Sequence, residues 1–217
     1  MLETGRIDDL DGDAACDAVA AAHRELLTAE ARMLGLAVHW ADLHNGDAVD
    51  AGGKALPGME RARRLGGAGT PRVAEFCTAE FGALQERGYI WADNYLRDAL
   101  DLRHRHPMMW AAIFAGQARV WQGREVARLA HVAGLSLEQA RWVDAVTSDR
   151  LADLAWGTFV NLVEAKIIEA DPDAAEARRV AAAMERFVRT GGVQRVRPED
   201  DHRQGCGRRC HLLSRYG

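Results

Sequence analysis

Apolar residues in this chain recur at intervals of three and four, and no segment alternates with period two over a useful length. That spacing gathers side chains on one stripe of a helix, whereas a half-buried strand needs strict alternation. Between Asp13 and Ala41 the residues Leu26, Leu27, Met33, Leu34, Ala37, Val38 and Ala41 keep this rhythm, which predicts one long amphipathic helix stopping at Asn45-Gly46. Helix punctuation returns at Thr70-Pro71, read as a cap and a preset first residue for a helix from Val73 to Leu84. Arg87-Gly88 reads as a turn. A helix from Trp91 to Arg105 then buries Tyr95, Leu96, Ala99 and Leu102 and ends before Pro107, which would clash with a further turn. Pro107 opens a short helix closed by Gly116, and Gly134 stops the next. Ser136 with Gln139 forms a capping box, Phe159 to Ile167 marks another helical face, and Asp171-Pro172 starts a last helix through Met184 and Phe187. The expected fold is therefore all-α, a multi-helix bundle with a long N-terminal helix.

Four segments follow from composition. Residues 1–44 carry the long helix. Residues 45–71 hold seven glycines and two prolines with few large apolar side chains, so they read as a flexible linker, with Arg61, Arg63 and Arg64 as a solvated basic cluster. Residues 72–190 form the bundle core. Residues 191–217 lack alanine, hold Cys206 and Cys210 of the chain's four cysteines, and read as an irregular, disordered tail. Shifting the frame by one base inside the Val193 codon permits an amphipathic continuation, so Val193 to Gly217 is expected to be a frameshifted end.

At 217 residues and 48% apolar content the chain can close one core of ordinary size. Only Lys54 and Lys166 are lysines, so the arginine excess reflects a GC-rich coding sequence. The net charge is −4, and six arginines against three acids after position 190 leave −7 on residues 1–190. A body this acidic repels a nucleic-acid backbone unless its arginines share one face. No apolar run reaches the ~18 residues of a membrane span, and the acidic start MLETGRIDDLDGD is unlike a signal peptide. The expected location is the cytoplasm, without membrane association. Cys16, Cys77, Cys206 and Cys210 are too few and too irregular for a disulfide framework.

Few residues suggest chemistry. Cys206, Cys210 and His211, with His202 nearby, are the one cluster resembling metal ligands, but zinc usually takes four ligands from two knuckles, so no metal site and no cofactor are expected. His104 and His106 stand two apart and share no helix face, and they read as a charged last turn beside exposed carbonyls. His44-Asn45 is a helix end with no second histidine near it. The two helices 73–84 and 91–105 have the outline of a helix-turn-helix, in which Arg97, Arg103 and Arg105 would be the nucleic-acid contacts. Trp40, Trp91, Trp110, Trp121, Trp142 and Trp156 lie among apolar residues and read as core anchors.

The segments AEFCTAEFGAL from Ala74, RDALDLRHRHP from Arg97, GLSLEQARWVDA from Gly134 and EADPDAAEARRVAAAMERFVRTG ending at Gly191 together resemble the helical domain of unknown function 222. The resemblance spans roughly residues 15–191. That family implies a helical fold and a position in front of an HNH endonuclease domain. An HNH unit needs a ββα element that presents a histidine and metal ligands to phosphate, and the stretch after Gly191 has no room for one. The expectation is a non-catalytic, truncated helical module of an HNH-endonuclease family protein, without catalytic residues. Its expected partners are DNA, through the family association, and itself, through an apolar face left uncovered. The alternatives are a DNA-binding module at residues 73–105 and a metal-dependent enzyme using the terminal cysteines.

Overall fold

The computed structural model describes residues 7–50 and 59–185. Helix α1 (Gly12–Leu43) begins where the Asp11 carboxylate accepts from the Ala14 amide, 2.8 Å away, and so satisfies one of the unpaired donors at a helix start. A short α2 (Gly46–Asp50) follows, then strands β1 (Ala62–Arg64) and β2 (Arg72–Ala74). The bundle continues through α3 (Cys77–Leu84), α4 (Tyr89–Arg105), α5 (Pro107–Phe114), α6 (Val120–Val132) and α7 (Leu137–Thr147), and after a 3₁₀ turn at Ser148–Arg150 through α8 (Trp156–Ala170) and α9 (Pro172–Glu185). No helix among the described residues is long and apolar enough to cross a membrane.

Helix α4 is the axis of the molecule. Its residues Ala92, Tyr95, Leu96, Asp98 to Leu102 and Arg105 are buried, and it packs against α1, α3, α5, α6 and α7. Leu34 and Val38 of α1, Met109 of α5, Val126 of α6, Val143 of α7 and Phe159 of α8 complete one core. Each fully buried large apolar side chain contributes about 1.5–3 kcal/mol relative to an exposed one.

The expected punctuation holds in most places. Gly116 and Gly134 adopt φ of 72° and 71°, the left-handed turn that ends a helix, and Pro107 is the first residue of α5. The Ser136–Gln139 box forms both of its hydrogen bonds, and the same Gln139 amide donates to the Ala170 carbonyl at the end of α8.

Residues 59–71 depart from a flexible linker, while 51–58 lie outside the described residues. Ala62, Arg63 and Arg64 pair antiparallel with Ala74, Val73 and Arg72, and Val73 and Leu65 enter the core. The expected helix from Val73 therefore starts only at Cys77, because residues 72–74 are strand. Thr70 does not cap it. Its hydroxyl donates to the Gly67 carbonyl at 2.8 Å and closes the loop between the strands. Arg63, expected in solvent, donates to Asp93 Oδ1 at 2.6 Å and to the Tyr89 hydroxyl, tying the ribbon to the start of α4.

A buried charge pair locks this ribbon loop down. Asp101 Oδ1 accepts from the Gly67 amide at 2.7 Å and from Arg105 Nη1 at 3.3 Å, while Oδ2 accepts from His131 Nδ1 of α6 at 2.9 Å. Arg105 Nη2 donates to the Leu135 carbonyl at 2.6 Å. Both side chains are fully buried. A Cβ on Gly67 would stand 1.8 Å from Arg105 Nη1, so only glycine lets the backbone come this close.

Asp101→Ala strands the Arg105 charge without its carboxylate and is expected to cost about 3–5 kcal/mol. Asp93→Ala breaks the partly exposed Arg63 pair and is expected to cost about 1 kcal/mol or less. Urea denaturation followed by circular dichroism compares the two; equal losses would show that Asp101 is not the anchor of the loop.

Candidate binding groove

The sequence-predicted contacts do not converge on one surface. Arg105 is fully buried, a correction to its expected place on a DNA-facing helix, because its guanidinium is needed by Asp101 and Leu135 inside the bundle. Arg97 is half-buried and spends its donors on Asn94 and Asp98. Arg103 is exposed and pairs with Asp42 of α1 at 2.7 Å. Since α4 is enclosed by other helices, the pair α3–α4 offers no free recognition helix.

The His104-His106 turn also differs from its expected charged state. His106 ends α4 and opens α5, is fully buried, and neither ring nitrogen has a hydrogen-bond partner among the described residues. Burial, aided by the neighbouring Arg105 charge, pushes its pKa down to about 3, so the ring is neutral. His104 is shifted down as well, first by burial and then by Arg103. His44 is structural. Its Nδ1 donates to the Trp40 carbonyl at 2.8 Å and its ring lies 4.2 Å from the Trp40 ring. The Cys206, Cys210, His211 and His202 candidates lie outside the described residues. No group of three metal-ligating side chains occurs among the described residues.

A built concavity lies elsewhere, where α4, α6 and α8 meet. This groove of about 590 Å³ is lined by Asp98, Trp121, Arg124, Glu125, Arg128 and Trp156, with Gly157, Val160 and Asn161 along α8. The sequence of α6 explains its half of the site. Val120, Gly123, Val126, Ala127 and Ala130 face the core, which leaves Trp121, Arg124, Glu125 and Arg128 to share the other face at helical spacing. Trp121 is 48% exposed and meets Trp156 edge-on, with ring centroids 4.9 Å apart at 75°. Trp156 in turn stacks on the fully buried Phe159, so the aromatic wall is anchored in the core.

Ion pairs organise the rest of the groove. Asp98 is buried and held by two guanidiniums, Arg97 on Oδ1 and Arg124 on Oδ2. Burial nonetheless outweighs them and raises its carboxyl above the usual range. Arg124 also lies 4.5 Å over the Tyr95 ring. Glu125 chelates Arg128 with both oxygens, and that hydrogen bond lowers the carboxyl. The groove is thus aromatic and close to neutral, with Arg128 at its open edge.

Two tryptophans correct the reading of all six as core anchors. Trp40, Trp91, Trp110 and Trp156 do pack on the core, but Trp121 and Trp142 are exposed. The signal for Trp121 was in the chain, since it shares a helix face with Arg124, Glu125 and Arg128 and not with Val126 and Ala130.

The chain matches no family model, no curated protein and no solved structure.

The buried histidine gives the fold a defined acid response. Unfolded, His106 takes up a proton near pH 6.5; folded, it does so only near 3, so the unfolded state binds the extra proton between these values. Stability falls as pH drops below about 6.5, by a few kcal/mol at about pH 4.5 from this group alone. His104 acts in the same sense. The raised carboxyls of Asp98 and Asp144 oppose it, but only as pH approaches the carboxylate range. His106→Leu is expected to flatten the decline between pH 6.5 and 5 in urea titrations at several pH values. An unchanged slope would assign the acid response to other groups.

Proposed function

We propose that this chain is a non-catalytic helical module, of the kind that stands before an HNH nuclease domain in the family its sequence resembles, and that it works by docking a protein segment in the α4–α6–α8 groove. The observation that carries this reading is Trp121, a large indole held half-exposed against Trp156 at the rim of a groove edged by Arg124 and Arg128. Tryptophan, tyrosine and arginine are the side chains that concentrate binding energy at protein interfaces, particularly when a pocket orders them beforehand. Here the order is in place, since Arg124 is held by Asp98 and Tyr95 and Arg128 by Glu125.

Charge separates a protein partner from a nucleic acid. Each arginine at the groove has a carboxylate beside it, and residues 1–190 carry −7 in all, so a run of phosphates gains little here. An apolar or aromatic side chain fits between the indoles, and carboxylate or carbonyl groups next to it can accept from Arg128 and Asn161. DNA contact through α3 and α4 has less support, because Arg105 is enclosed and Arg97 and Arg103 already have acidic partners.

Peptides selected on the protein from a displayed library are expected to quench its tryptophan fluorescence and to lose about tenfold in affinity on Trp121→Ala. Selected peptides indifferent to Trp121 would move the site away from this groove. Anisotropy of a labelled DNA duplex at low salt is expected to show no saturable binding, and supercoiled plasmid with Mg²⁺ or Mn²⁺ is expected to stay intact. Saturable binding that weakens steeply with salt would favour DNA as the partner.

A further inference from the structure

Helix α1 has a second apolar face that the bundle uses only in part, at Met33 and Trp40. Leu34, Ala37, Val38 and Ala41 are the residues it buries, all in its C-terminal third, and from Gly12 to Leu26 every residue is exposed or half-exposed. Turned about 100° from that buried face, at 100° per residue, runs Ala15, Val19, Ala22, Leu26, Ala29, Met33, Leu36, Trp40 and Leu43. The steps alternate four and three along almost the whole helix, which is the heptad seam of a coiled coil. Val19, Leu26, Leu36 and Leu43 on this seam are 70%, 49%, 53% and 67% exposed. Toward its C-terminal end the seam borders α3 and forms a groove of about 240 Å³ with Phe81 and Leu84.

We propose that two copies of this chain pair antiparallel through α1, the alanine side of one overhanging N-terminal half lying in the α1–α3 groove of the other. Size complementarity sets the register. With the helices antiparallel, Trp40 meets Ala15 of the second copy, Met33 meets Ala22, Leu26 meets Ala29 and Val19 meets Leu36, so three of the four distinct layers set a large side chain against alanine. The overlap runs from residue 15 to residue 40 and is ~39 Å long.

Charge selects the same register independently. It places Glu25 opposite Arg32 of the second copy, twice by symmetry, with His23 facing Glu30. Glu25 and Arg32 are exposed and have no ion pair among the described residues, whereas Glu30 already has Arg119 at 3.5 Å. Sliding the pair by one heptad sets Arg32 against Arg32 or Glu25 against Glu25. A parallel pair sets Glu25 against Glu30. Like charges across such a seam are destabilising. This pairing does not depend on the proposed groove between α4, α6 and α8.

Sedimentation equilibrium of the full chain tests it. The expected mass is twice 23.8 kDa. Glu25→Arg and Arg32→Glu are each expected to raise the dimer dissociation constant about tenfold, and the double variant E25R/R32E to restore it, since the exchanged charges still face each other. Leu26→Glu is expected to give a monomer whose circular dichroism matches the parent, as the position is on the free half of α1. A monomeric parent chain would overturn the proposal. A dimer indifferent to Leu26→Glu, or single variants not rescued by the double, would overturn it equally.

Discussion

A carboxylate and a guanidinium, Asp101 and Arg105, sit one turn apart on the most enclosed helix of the molecule, and the arrangement of its neighbours follows from satisfying them. Taking such ions out of water costs several kcal/mol each, which only well-placed partners offset. Here those partners are the Gly67 amide, the His131 ring and the Leu135 carbonyl. One comes from the loop of the β-ribbon, one from α6 and one from the α6–α7 connection. Any shift of these segments strips a hydrogen bond from a buried charge, so a pair that adds little net stability still selects one arrangement over its neighbours.

Asp144 repeats the same logic nearby. Its carboxylate leaves α7 to accept from the Met108 and Met109 amides at the start of α5, with Ser148 as a further donor. The end of α4, the start of α5 and the middle of α7 therefore meet around polar groups within an apolar core. His106 lies at this junction, and its neutral ring is what makes its burial tolerable. A proton on that ring would be a second buried cation beside Arg105.

With these polar residues committed to holding helices, large apolar and aromatic side chains remain exposed among the described residues. The Trp121–Trp156 wall and the seam of α1 share no residue, and each carries large exposed side chains, Trp121 on one and Val19, Leu26, Leu36 and Leu43 on the other. A groove that is ordered, aromatic and nearly neutral suits a protein partner, and a heptad seam suits another helix. The proposed docking and the proposed self-pairing thus use separate residues.

Much of the helical order was legible in the residues. Pro107, Gly116, Gly134, Ser136 with Gln139, and Pro172 each act within one turn of the chain, and local signals of that kind need no tertiary context. The β-ribbon was not legible, since three-residue strands are too short to show a period and the glycines of 65–70 resemble a linker until Gly67 is seen against Arg105. The site was less legible still. Arg105 and Arg97 read as surface cations because charge is normally solvated, and only packing reveals that Asp101 and Asp98 hold them inside. Trp121 could have been placed by its helix face, but its partner Trp156 is 35 residues away on α8. Sequence alone decided where helices begin and end, because hydrogen bonds and dihedral preferences act over a few residues. Tertiary structure alone decided which polar groups are buried and which aromatic ones are free, because burial depends on segments far apart in the chain.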